Sequence, residues 1–301
     1  MKKTIILFAL NIVCLIGLAQ SNIRLNNYWE NTYYINPASI NALHLGEVSM
    51  AGQKQWLNIP GSPTTFFATG TTYLDKLKTQ FGLKVYQDKI GFTSTSDISL
   101  SYAYAVTLNR EWRLNLGLAV SYQMLSYDLT DVNLENGTDS KFYDKLLSEN
   151  NFNADLGFEF RYKKWKFGGA SQNIFSLFSD INKQYVNTNF LYTMYRQNST
   201  ELLNLGVGVC GIQYANYYQM EVSVANYFKL SENNDQFHIG VYYKTMNQMG
   251  AILGFNLSNN INVSYNYGFL LGGLSRSSIG SHELIISYQF DKPDKCYNCD
   301  Y

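Results

Sequence analysis

The sequence predicts an all-β chain: a closed antiparallel transmembrane β-barrel of about 14 strands, with an irregular N-terminal extension in the periplasm. Three observations predict it. Runs of about ten residues alternate between apolar and polar side chains from Gly46 to Phe290, the period of a strand with one greasy face. No proline occurs between Pro63 and Pro293, as suits a chain of paired strands, where a residue without an N–H breaks the ladder. The chain opens with an export signal, yet no later segment is apolar enough for a membrane helix. Lipid cannot satisfy a sheet edge, so strands cross a bilayer only as a closed barrel.

Composition agrees. Of 301 residues, 46% are hydrophobic and 16% aromatic, with 25 Tyr and 18 Phe, while only 15% are charged; soluble domains carry about 25%. Lys+Arg and Asp+Glu stand at 23 each, so there is no basic stripe for a nucleic acid and none is expected as a partner. Residues 1–19 read as a signal peptide: Lys2 and Lys3 are followed by the apolar run Ile5 to Leu18, with Gly17-Leu18-Ala19 as the cleavage site before Gln20. That run is too short for a spanning anchor. Cys14 follows Val13, where a lipidation site needs a small residue.

Residues 20–45 form the expected N-terminal periplasmic extension. They are irregular and polar, with aromatic pairs at Tyr28-Trp29 and Tyr33-Tyr34 and then Asn36-Pro37-Ala38. The barrel is expected over 46–290, with strands at 46–57, 64–74, 80–87, 96–108, 111–127, 152–162, 164–171, 186–196, 201–213, 217–229, 236–245, 248–257, 261–270 and 281–290. Alternation is plainest where Trp112, Leu114, Leu116, Leu118, Val120, Tyr122 and Met124 oppose Arg113, Asn115, Gly117, Ala119, Ser121 and Gln123. It is ambiguous in 64–74 and 164–171. Short links follow the even strands, and the long ones (88–95, 128–151, 172–185, 271–280) follow odd strands, although two other odd links are short. Outer-membrane barrels show this asymmetry, with short turns in the periplasm. Trp56, Tyr73, Trp112, Tyr127, Tyr162 and Trp165 near strand ends suit an aromatic girdle. Lys141 to Leu147 has a short helical pattern, read as a surface helix. Residues 291–301 form a C-terminal periplasmic tail.

Several blocks resemble a known family. Asn36-Pro37-Ala38, then Gln53-Lys54-Gln55-Trp56 and Pro60 to Thr65, are similar to the opening of the PorP/SprF proteins of type IX secretion. Gly82, Asp88 to Gly91 and Leu100 to Tyr104 resemble its next block, and Tyr265-Asn266-Tyr267 with Ile279-Gly280-Ser281-His282-Glu283-Leu284 its close. The resemblance implies an outer-membrane barrel of Bacteroidota in the type IX secretion or gliding-motility machinery. It implies a non-enzymatic role in export or surface attachment of large adhesins with C-terminal sorting domains. The implied partners are such an adhesin or its sorting domain, periplasmic secretion subunits and outer-membrane lipid. The middle, 172–235, departs from the pattern.

Site chemistry is sparse. His282 and Glu283 are adjacent in a strand and point to opposite faces, so they form no local acid–base pair. A salt bridge from Glu283 to Arg113, Arg161 or Lys244 across the lumen is the expectation. His44 and His238 lack ligand-spaced companions, so no metal or cofactor is expected. Cys296 and Cys299 form a lone CxxC, read as a tail disulfide in an oxidising compartment, and Cys210 as a small buried residue. Lumen-facing charges are Arg113, Asp155, Glu159, Arg161, Lys244 and Glu283. Opposite charges across the interior predict a narrow or plugged barrel that binds and does not conduct. The alternative is a channel for small solutes or fatty acids. A barrel enzyme, with His282 beside Ser281 or Ser287, is the third and least favoured class.

Overall fold

A computed structural model describes residues 25–127, 148–178, 185–199, 201–231, 234–245 and 248–292. The signal segment, Lys141 to Leu147, Cys296 and Cys299 lie outside them. The wall consists of β1 (Gly46–Lys54), β2 (Thr64–Leu74), β3 (Thr79–Ile90), β4 (Thr93–Thr107), β5 (Trp112–Tyr127), β6 (Ser148–Tyr162) and β7 (Trp165–Gln172). It continues through β8 (Thr188–Arg196), β9 (Leu203–Tyr214), β10 (Tyr217–Ser231), β11 (Asn234–Lys244), β12 (Gln248–Asn256), β13 (Ile261–Leu270) and β14 (Ser281–Phe290). Each strand pairs antiparallel with its sequence neighbours, and β1 with β14 closes the ring in register from Gly46↔Phe290 to Lys54↔His282.

The alternation points its apolar side outward. Along β5, Leu116, Leu118 and Val120 are exposed, whereas Asn115, Ala119, Ser121 and Gln123 are buried. A soluble protein would reverse this arrangement; a barrel in lipid requires it. Trp112 stacks on Tyr162 at 4.5 Å and Phe228 on Phe237 at 4.3 Å, cross-strand ring pairs that tie neighbouring strands together.

One end of the barrel holds the start of β1, the end of β14 and the turns at 75–78, 108–111, 163–164, 197–202 and 257–260. The opposite end holds 55–63, 173–187 and 271–280. Two links differ from expectation. β3 and β4 run on to a tight turn at Gly91-Phe92, where Gly91 takes φ 58, and no long 88–95 loop exists. β6 begins at Ser148, not 152. In both cases polar residues extend the ladder, because backbone pairing outside the lipid needs no apolar face.

The N-terminal segment is irregular, with a single 3-10 turn at Thr32–Tyr34, but it does not project from the barrel. It fills it. Leu25, Tyr28, Ile35, Asn36, Ala38 and Ile40 are all at most 2% exposed, and their partners lie on strands all round the wall. This corrects, for Leu25 to Ala42, the periplasmic extension expected over residues 20–45. The physical reason is hydrogen bonding: an irregular backbone needs partners for its N–H and C=O groups, and the inward polar side chains supply them. Leu25 to Asn27 lie toward the 55–63 end, and the segment leaves the lumen at the other end to begin β1.

Candidate functional site

The site is the contact between the plug, residues 25–42, and the barrel wall. Glu283 of β14 anchors its start. One carboxylate oxygen accepts from the Asn26 N–H at 2.6 Å and from Gln53 Nε2 of β1 at 2.7 Å. The other accepts from the Asn27 N–H at 2.9 Å. Asn27 also donates to Ser264 of β13, and Lys244 of β11 donates to the Asn26 side chain. The expected salt bridge is therefore corrected: the bonds of Glu283 go to plug amides and Gln53, while Arg161 lies on Glu159 at 2.6 Å and Lys244 faces Glu221 at 3.5 Å. Two successive backbone N–H groups converging on one carboxylate suit its two oxygens better than a single distant cation.

Further along, Glu30 faces His238 of β11 at 3.0 Å, Asn31 donates to Thr69 of β2, and Tyr33 hydroxyl meets Ser101 of β4 at 2.6 Å. Gly82 makes room for Tyr33, since a Cβ there would strike its ring. Tyr34 packs edge-on against Phe67, with ring centroids 5.3 Å apart. Asn36 is fully used: its amide donates to the Phe158 carbonyl at 3.0 Å and the Tyr192 hydroxyl at 2.9 Å, and its oxygen accepts from the Ala38 N–H. Tyr192 donates on to Glu159, which carries Arg161. Beneath Asn36-Pro37-Ala38, Gly117 and Gly157 pair across β5 and β6, and side chains at either would collide with the plug. Gln80 closes the path, bonding the Ser39 carbonyl and the Asn41 N–H.

Toward the 55–63 end, Leu25, Tyr34, Ile35 and Phe67 floor a cavity of about 430 Å³. Lys84 lies 3.6 Å from Asp155, which also accepts from the Asn173 N–H. Asp97 takes Gln123 Nε2 on one oxygen at 2.9 Å. Tyr185, in the link before β8, has its phenol pushed up to about 12 by burial and by the Asp97 charge, so it is a neutral donor.

The residues behind the family resemblance gather in two places. Asn36, Gly82, Ser101, Gln53 and Glu283 touch the plug or hold it. Lys54, Gln55, Trp56, Gly280, Ser281 and His282 form the top of the β1–β14 seam. There Lys54 donates to the Ser62 carbonyl and Thr64, Gln55 to Gln53, and the Trp56 N–H to Ser281 Oγ at 3.2 Å. Gly280, at φ 118, accepts from the Leu57 N–H. His282 points outward to Tyr265 and Tyr267, away from buried Glu283. Arg113 lies inside near Tyr73. The sequence reading missed Glu30, Lys84, Asp97 and Glu221, and it weighed His238 only as a metal ligand. Their signal was parity alone, each wall residue among them occupying an inward position of its strand. Among the described residues no group of three or more His, Cys, Asp or Glu could hold a metal.

The family profile described as "Type IX secretion system membrane protein PorP/SprF" matches residues 17–288. The chain belongs to the PorP/SprF family. A search of curated proteins returns no match. Among solved structures, this PorP/SprF chain is similar to the toluene transporter TodX of Pseudomonas putida, at 8% identity and TM-score 0.51, over 92% of this chain and 96% of that one. It is also similar to outer membrane protein Omp33 of Acinetobacter baumannii, at 10% identity and TM-score 0.49, over 83% of this chain and 100% of that one. The likeness to TodX shows the fold, and the family match makes this PorP/SprF protein an outer-membrane β-barrel component of type IX secretion. In such barrels short turns face the periplasm; here the shorter turns lie at the Gly46 end, and the 430 Å³ cavity forms a vestibule at the opposite, long-looped mouth.

Proposed function

We propose that this protein assists export or surface attachment of large proteins bearing C-terminal sorting domains, as a non-enzymatic component that binds its partners and conducts nothing. The observation that carries this reading is the plug. Residues 25–42 occupy the lumen and are tied to the wall by buried hydrogen bonds such as those on Glu283 and Asn36. Each such bond contributes ~0.5–1.5 kcal/mol net, and more where the acceptor is charged. A lumen so filled suits a scaffold better than a solute path, so the channel alternative is not favoured.

The partners expected are a secreted adhesin or its sorting domain on the outer side and periplasmic secretion subunits at the Gly46 end. Deletion of the gene in its own host tests the role. Cargo with sorting domains should disappear from the cell surface while other outer-membrane proteins keep their levels. Undiminished surface cargo would remove the proposal.

A further inference from the structure

We propose that the vestibule is a binding site for an alkylammonium group, with Asp97 as its counter-ion. The cavity of about 430 Å³ has room for a chain of several heavy atoms. Among the described residues three charged side chains line it: Lys84, Asp97 and Asp155. Lys84 and Asp155 face each other at 3.6 Å, and Asp155 has a second bond from the Asn173 N–H. That leaves one carboxylate in excess.

Asp97 is only 3% exposed, and one of its oxygens has no hydrogen-bond partner among the described residues. A buried carboxylate oxygen without a donor is costly and rare. Gln123 Nε2 cannot relieve it, being shared between the other Asp97 oxygen and Asn173, and the buried Ser121 hydroxyl beside it offers a neutral donor that does not offset the charge. A ligand cation would.

The surrounding groups narrow its chemistry. Tyr86, Tyr127, Tyr185 and Tyr214 line the same cavity, and ring faces attract organic cations. The Tyr185 hydroxyl, also buried, lacks a partner among the described residues and can meet an accepting atom next to the ammonium, such as a peptide carbonyl. A guanidinium fits less well, since its fork needs two parallel acceptor oxygens and Gln123 already holds one of the pair. A metal ion fits less well still, as no cluster of three ligating residues stands here among the described residues.

The amine has two sources, the lysine of a polypeptide at the long-looped mouth or a free diamine. The site stands independently of the export role: an intact secretion phenotype with no amine binding, or the reverse, separates the two. The test is calorimetric titration of the full mature protein in detergent with acetyl-Gly-Lys-Gly-amide and with 1,5-diaminopentane. Acetyl-Gly-norleucine-Gly-amide serves as the uncharged control.

Binding by at least one amine, with none by the norleucine peptide, is the expected result. Binding by the lysine peptide alone assigns the site to polypeptides, and binding by the diamine alone to polyamines. Asp97→Asn keeps the Gln123 bond and should weaken the amine about tenfold or more, the worth of a charged hydrogen bond. Lys84→Gln should tighten it by adding to the excess negative charge. Three results overturn the proposal: no amine binds, the norleucine peptide binds equally, or neither substitution changes affinity in a protein whose melting temperature is retained. Binding of maltohexaose that survives Asp97→Asn, with no amine binding, would reassign the cavity to saccharides.

Discussion

Glu283→Gln isolates the anchor of the plug from the stability of the wall. Its side chain keeps the shape of the glutamate but exchanges one acceptor oxygen for an NH₂ group. In the better of its two orientations the amide oxygen takes the place nearest Asn26 and Gln53, keeping the bonds now at 2.6 and 2.7 Å. The NH₂ then faces the Asn27 N–H, whose bond of 2.9 Å is lost. A hydrogen bond to a charged acceptor contributes ~1.5–3 kcal/mol, and a buried donor left unpaired costs ~1–3 kcal/mol. Allowing for the weaker, neutral bonds that remain and for the relief of a buried charge, the net loss is about 3 kcal/mol. That corresponds to about a hundredfold rise in the population with the plug start detached. Hydrogen exchange read by mass spectrometry on detergent-solubilised protein measures it. Peptides covering residues 25–30 should exchange about a hundredfold faster, with strand peptides unchanged. Unchanged plug protection would refute the anchor. Acceleration in every strand would mean that Glu283 supports the barrel as a whole.

Three further outcomes can be measured. Gly117→Val drives a branched side chain into the Pro37-Ala38 backbone, so it should displace the middle of the plug and cost roughly 1–3 kcal/mol, read as a lower unfolding midpoint in urea. Leu118→Arg places a charge on the lipid face midway along β5 and should cost about 2–4 kcal/mol in refolding into liposomes. Ser121→Ala, on the inward face of the same strand, should be nearly silent in that assay. For the tail, alkylation of the folded protein without reductant should leave Cys296 and Cys299 unlabelled if they are bonded to each other, and label them after mild reduction. Buried Cys210 should react only on unfolding.

The wall was legible because lipid imposes a simple rule on it. Leu116, Leu118 and Val120 had to alternate with Asn115, Gly117 and Ala119, and that period survives in the sequence. β2 and β7 were harder to read: Phe67 of β2 is apolar yet turns inward onto Tyr34 of the plug, and Gly168, Gly169 and Ala170 of β7 give little contrast between its two faces. The plug itself left no periodic trace. Its order comes from amides spent one by one, Asn27 on Ser264, Asn31 on Thr69 and Asn36 on Tyr192, and no short-range pattern encodes partners that lie over a hundred residues away in two of these three cases. A density of Asn and Tyr in an otherwise unpatterned stretch was the only sign. The reading of Glu283 went astray for the same reason: its charge suggested a cation, whereas the backbone of a segment thought to lie outside the barrel supplied the donors.

The most direct measurement is single-channel recording in planar bilayers of the mature protein beside a variant lacking residues 25–42. A lumen closed by its own N-terminal segment predicts no steady conductance for the intact chain and a stable open level once the segment is removed. A large, steady conductance from the intact chain, or two indistinguishable records, would contradict it.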